Sequence, residues 1–106
     1  MQYATEMIAT ILDGKALAGR VREDLAGRVK ALKGQGRKVR LDAVLVGRED
    51  SPGAAIYARN QASNCEKLGI DYVLHEFPGQ ASHEDVAGLI SKLNADDQVT
   101  AIMVHL

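Results

Sequence analysis

The run Leu41-Asp42-Ala43-Val44-Leu45-Val46-Gly47, followed after three residues by Ser51-Pro52, decides the fold. A β-branched and aliphatic run closed by glycine reads as a buried strand. Ser51 then reads as an N-cap, with proline at the first helical position. The helix that follows carries Tyr57, Gln61, Cys65 and Leu68 along one face and stops at Gly69. Ile70 to Phe77 is a second strand, ended by Pro78-Gly79. Ser82, with Asp85 three residues on, signals a capping box and a third helix, whose Val86, Leu89, Ile90 and Leu93 form a stripe to be buried. Behind Asn94-Ala95-Asp96, the apolar segment from Thr100 to Leu106 reads as a third buried strand.

Upstream of the deciding run, Leu17, Val21, Leu25, Val29 and Leu32 recur at helical spacing between Lys15 and Leu32. Their stripe is expected to face a core, and Gly34 and Gly36 end the helix. Ile8 to Leu12 leaves two readings open, a short edge strand or an arm lying on a neighbour. Strands that alternate with helices through short connections imply an α/β fold. The expected form is a three-layer α-β-α domain with a small parallel sheet and right-handed crossovers. No repeat or linker divides the chain, so one domain spans residues 1–106.

At 106 residues, the chain is long enough to bury a modest core, about 65% of its unfolded surface. Apolar residues at 46% and charged residues at 25% are those of an ordinary globular protein. Thirteen Lys and Arg against fourteen Asp and Glu give no electrostatic case for nucleic acid. Arg20, Arg22, Arg28, Lys30 and Lys33 interleave with Glu23 and Asp24, as on a solvated helix face. No apolar run approaches the roughly 18 residues of a membrane helix, and no secretory leader pattern opens the chain. The single cysteine, Cys65, fits a reducing, cytoplasmic setting and reads as a buried thiol. His75, His83 and His105 fall on different elements, so no metal site is expected.

In parallel α/β sheets a ligand lies beyond the carboxyl ends of the strands, here near Gly47, Pro78 and Leu106. The loop Gly47-Arg48-Glu49-Asp50-Ser51-Pro52-Gly53 leads into a helix N-terminus, but its two carboxylates would repel an anion, and no glycine-rich nucleotide fingerprint is present. It reads as a surface loop. Tyr57 and Gln61, four apart on one face, can point into the same space. On pattern alone they are a core tyrosine with a half-buried polar neighbour, and His105 is a structural histidine.

A resemblance to a known family changes the weight of these residues. Ile11-Leu12-Asp13-Gly14-Lys15, Ala43-Val44-Leu45-Val46-Gly47, Ile56-Tyr57-Ala58-Arg59-Asn60-Gln61 and Cys65-Glu66-Lys67-Leu68-Gly69-Ile70 resemble the start of the bifunctional methylenetetrahydrofolate dehydrogenase/cyclohydrolases. The closing segment is similar to that family's first signature through Asn94, Asp96, Ile102, Met103, Val104 and Leu106. The likeness covers nearly all of the chain and roughly the first third of a family member. It implies a truncated N-terminal catalytic domain over residues 1–106, with a C-terminal Rossmann domain for NADP or NAD absent.

What the family implies is oxidation of 5,10-methylenetetrahydrofolate by hydride transfer, then hydrolysis of the 5,10-methenyl form to 10-formyltetrahydrofolate. Tyr57 matches the tyrosine that stacks on the folate ring. Gln61 stands where the family carries its catalytic lysine, and His105 where it carries the glutamine of Gln-Leu-Pro, followed here by Leu106. The expected catalytic residues are therefore Tyr57, Gln61 and His105, and the same three with Leu106 bind substrate. An amide cannot carry a proton near neutrality as a desolvated lysine can, which counts against hydrolysis more than against hydride transfer. The family's lysine and glutamine are neighbours, so Gln61 and His105 should be neighbours too, with imidazole as the substitute proton carrier. The loop before the helix is about two residues longer than in the family, and Ala54 replaces a common serine. A chain ending on an unpaired apolar edge also implies self-association or a partner, with a homodimer the expected form. The other reading is a non-catalytic folate-binding or interaction module derived from the family.

Overall fold

A computed structural model describes residues 9–105; readings that fall on residues 1–8 and on Leu106 lie outside it. The elements run α1 (Gly14–Gly34), β1 (Arg40–Val46), a single 3-10 turn (Arg48–Asp50), α2 (Pro52–Leu68), β2 (Asp71–Phe77), α3 (His83–Asn94) and β3 (Ala101–His105). The strands form one parallel sheet in the order β2-β1-β3. From β1 the chain reaches β2 through α2, then crosses back past β1 to β3 through α3. With right-handed crossovers, that reversal puts α2 and α3 on opposite faces of the sheet.

Strand β1 is the centre of the core. Asp42, Ala43, Val44 and Leu45 are each 0% exposed, so both of its faces are covered. In register, Tyr72 of β2 lies beside Leu41, and its hydroxyl donates to the carbonyl of Ala58 in α2 at 3.3 Å. Leu41, Ala43 and Leu45 therefore face α2. Alternation turns Asp42 and Val44 toward α3. Helix α1 lies on the α2 side: it packs against α2, and its Lys33 pairs with Asp71 at 3.2 Å.

Local signals set the helix ends. Asp13 caps α1 by accepting from the amide of Ala16 at 3.0 Å. Ser51 and Pro52 begin α2 as expected, although the Ser51 side chain makes no capping hydrogen bond. Gly69 ends α2 at φ 80°, a conformation only glycine adopts without strain. Ser82 and Asp85 form the reciprocal capping box of α3, with the Asp85 amide donating to Ser82 Oγ at 3.0 Å. Ser82→Ala is expected to lower stability by about 1 kcal/mol, measured as a shift of the urea midpoint at unchanged slope.

Four expectations need correction. The α1 stripe does not reach a core: Val29 is buried, but Leu17, Val21, Leu25 and Leu32 are exposed. A helix of 21 residues is about 31 Å long, longer than the seven-residue strands beside it. On α3, Leu93 alone of its stripe is buried, with Val86, Leu89 and Ile90 half-buried. Strand β3 begins at Ala101 and is an edge, so Met103 and Val104 stay exposed rather than buried. Residues 9–12 form no strand, and Ile11 and Leu12 are exposed. Cys65 is buried as read.

Candidate active site

The sequence-chosen residues meet on the α2 face, where β3 ends. Tyr57 and Gln61 sit one turn apart on α2, and His105 closes β3 beside Leu45 of β1. His105 is 8% exposed. Its Nε2 lies 3.2 Å from Gln61 Oε1, so the two residues are neighbours. The Tyr57 and His105 rings stand 5.3 Å apart between centroids with planes inclined at 58°, a tilted aromatic pair. Tyr57 is not a core residue: it is 55% exposed, with its ring free on the solvent side. Leu106 lies outside the described residues.

Two residues that sequence reasoning missed complete the cluster. Tyr72 donates its hydroxyl to Gln61 Oε1 at 3.3 Å. The Gln61 amide donates to the sulfur of Met103 at 2.8 Å. Burial, with a smaller contribution from Cys65, holds the Tyr72 phenol above its ordinary range, so it remains a donor. Burial likewise raises the Cys65 thiol, which leaves it an inert packing group.

Beside this cluster a cavity of about 370 Å³ is lined by Leu41, Tyr57, Asn60, Gln61, Asn64, Cys65 and Leu68. An apolar wall with a few amides and an exposed ring is the usual make-up of a small-molecule site. A larger hollow of about 430 Å³ lies at the opposite, amino ends of the strands, against Lys33, Glu66 and Asp71. Ligands of parallel sheets do not bind at that end, and the Lys33–Asp71 pair there is an exposed structural contact.

The rim over β1 and β2 is closed by protein groups. Gly47, at φ 72°, meets Gly79 so closely that a Cβ on Gly47 would touch the Gly79 Cα at 3.4 Å. A Cβ on Gly79 would collide with the carboxylate of Asp50. The amide of Gly79 donates to Glu49 Oε1 at 2.9 Å, and that bond, with one from its own backbone amide, holds the Glu49 carboxyl below its ordinary range. Arg48 pairs with Glu76 on the same rim. With carboxylates already on the rim amide, this loop does not cradle a phosphate. Among the described residues no group of three or more His, Cys, Asp or Glu is placed to hold a metal ion.

A second polar cluster, also unforeseen, lies on the α3 face. Asp42 accepts from Arg40 Nε and Nη2 at 2.7 and 2.9 Å and from His75 Nε2 at 2.7 Å. Burial alone would push the Asp42 carboxyl up, but the hydrogen bonds and charges of Arg40 and His75 outweigh it and hold the carboxyl below its ordinary range. A carboxylate inside an apolar strand run demands partners; that signal was present in the sequence, but its partners were not nameable without the register.

The family model for the tetrahydrofolate dehydrogenase/cyclohydrolase catalytic domain matches residues 12–106. The chain belongs to this family. The bifunctional protein FolD of Bordetella avium is 40% identical over 100 residues, covering 94% of this chain and 34% of that protein. The crystal structure of FolD, methylenetetrahydrofolate dehydrogenase/cyclohydrolase, from Campylobacter jejuni superposes with a TM-score of 0.86 at 34% identity, covering 92% of this chain and 34% of that one. A 5,10-methylenetetrahydrofolate dehydrogenase from the silkworm Bombyx mori superposes at 0.85 with 30% identity, covering 93% and 34%. The chain thus spans about a third of the length of the relatives it matches, and the α/β fold is that of its family.

Proposed function

We propose that this chain is the folate-binding catalytic domain of a 5,10-methylenetetrahydrofolate dehydrogenase/5,10-methenyltetrahydrofolate cyclohydrolase, acting in one-carbon folate interconversion. The observation that carries the reading is the exposed Tyr57 ring at the carboxyl end of the sheet, standing beside buried His105 and half-buried Gln61. Tyr57 offers a flat apolar surface for the pteridine ring. Gln61 and His105 lie beneath it, where the substrate's one-carbon bridge would sit.

The division of labour follows from the residue types. Hydrolysis adds water to the methenyl carbon and releases one proton, which a neutral imidazole can accept. Gln61 cannot transfer that proton and serves as a hydrogen-bonding partner. The β1-to-α2 loop does not fit a dinucleotide's pyrophosphate, because Glu49 and Asp50 stand there. NADP or NAD for the hydride step therefore belongs to a Rossmann domain outside this chain. A cytoplasmic setting and a homodimer complete the reading. The first accords with the free, buried Cys65, and the second with the edge strands of the sheet.

Titration of the chain with 5,10-methenyltetrahydrofolate, read by tyrosine fluorescence, tests the proposal. Saturable quenching is expected. Tyr57→Ala should weaken binding by about tenfold, the equivalent of one lost aromatic stack of ~1.4 kcal/mol. No saturable change at millimolar ligand would overturn the folate reading.

A further inference from the structure

The carboxamide of Gln61 has three neighbours that bond through it, and they allow only one orientation. Met103 offers a thioether, which accepts and never donates; at 2.8 Å it must face the amide nitrogen. Turning the amide over would set Oε1 against that sulfur, two acceptors with no proton between them. With nitrogen toward Met103, Oε1 points at Tyr72 and His105 together. The phenol fits this arrangement, which Met103 selects: its single proton is shared between Gln61 Oε1 and the Ala58 carbonyl, each at 3.3 Å. An amide oxygen accepts and cannot donate, so the bond to His105 needs a proton on Nε2.

We infer that Gln61, clamped by Met103 and Tyr72, is a positioning residue that fixes neutral His105 as the Nε2–H tautomer and leaves Nδ1 as its basic nitrogen. Tyr72 and Met103 act at one remove, by holding the amide. The inference deepens the hydrolytic reading above and rests on it for its functional meaning. Water's oxygen bonds to the methenyl carbon as the C=N π pair moves onto nitrogen, and the water proton goes to the Nδ1 lone pair. The C–N5 bond then breaks, its pair staying on N5, which takes the remaining hydroxyl proton as the formyl C=O forms. The nitrogen bonded to Gln61 takes no part. A lysine at position 61 would reverse the assignment, since an ammonium only donates and needs the lone pair on Nε2. Gln61 and His105 are thus matched to each other, and changing either alone breaks the match.

Long-range proton–nitrogen NMR correlation on the nitrogen-15-labelled chain reads the tautomer directly, with no turnover required. In the native chain His105 should show a pyrrole-type Nε2 and a pyridine-type Nδ1. Gln61→Lys should exchange the two patterns. Tyr72→Phe should give a mixture, because one hold on the amide is lost. Gln61→Glu should keep the native pattern, since a carboxylate also accepts. His75, bonded to Asp42 on the far side of the sheet, is the internal control for folding: its pattern should not change in any variant. A pyridine-type Nε2 in the native chain overturns the inference outright. An unchanged His105 pattern in Gln61→Lys, with His75 intact, also overturns it, and an unchanged pattern in Tyr72→Phe removes Tyr72 from the clamp. Adding 5,10-methenyltetrahydrofolate separates this from the folate reading: an intact tautomer with no ligand-induced shift at His105 counts against the substrate alone.

Discussion

His105→Ala is expected to slow hydrolysis of 5,10-methenyltetrahydrofolate by about 10²- to 10⁴-fold, the usual loss when a positioned general base is removed. The expectation follows from the inventory around the substrate position. Tyr57 is exposed and offers a phenol ring, Gln61 is an amide, and Met103 is a thioether. Tyr72 is held protonated by burial, first of all, and by Cys65. His105 is the one side chain of this cluster that carries a basic nitrogen. Loss of the methenyl chromophore measures the rate, on the chain alone and on the chain joined to the remaining two-thirds of the Bordetella avium relative. The paired change Gln61→Lys with His105→Gln restores the residues that the family carries and should retain hydrolysis. An unaltered rate in His105→Ala, with Tyr57→Ala still weakening binding, would show that the proton goes elsewhere.

The largest expected effect on stability comes from the other face of the sheet. Asp42→Ala should destabilise the domain by about 3 kcal/mol, a large part of the ~5–10 kcal/mol available to a chain of this size. The carboxylate is fully buried and receives three charge-assisted hydrogen bonds. Its removal leaves Arg40 and His75 without their common acceptor. Their side chains are each 25% exposed, so both can recover some hydration, which keeps the loss at the low end for a broken buried pair. The acid response has a definite sign. The Asp42 carboxyl is lowered in the folded state, so its contribution is complete above the ordinary carboxylate range, about pH 4, and disappears as pH falls through the lowered folded value. Urea midpoints of the native chain should therefore fall on acidification more steeply than those of Asp42→Asn. Parallel curves would mean that Asp42 is not linked to folding.

Elements bounded by local chemistry were legible in the sequence. Ser51-Pro52, Gly69 and the Ser82–Asp85 box fixed where α2 and α3 begin or end, because each acts within a few residues. The alternation of strand and helix fixed the fold class for the same reason. Helical periodicity shows which face can be covered, not whether anything covers it, and so the α1 stripe was misjudged. Strand order is set by pairing between distant segments; without it β3 reads as a buried strand, whereas at the sheet edge Met103 and Val104 stay exposed. The same gap hid the clamp on Gln61. Tyr72 lies eleven residues from Gln61 in sequence, on another element, and only the pairing with Leu41 turns it toward α2. Tyr57, Gln61 and His105 were picked out by family likeness rather than by pattern, which had given Tyr57 to the core.

The contact between Gly47 and Gly79 divides the mouth of the domain into two regimes of mutational freedom. At Gly47 the left-handed backbone excludes a side chain, and at Gly79 a side chain would have to displace the Asp50 carboxylate. Positions 61 and 105 lie on the α2–β3 side, where neither restriction applies. New chemistry can be tried there by exchanging side chains against a boundary that stays fixed, and the pairing of an amide with an imidazole is one such trial.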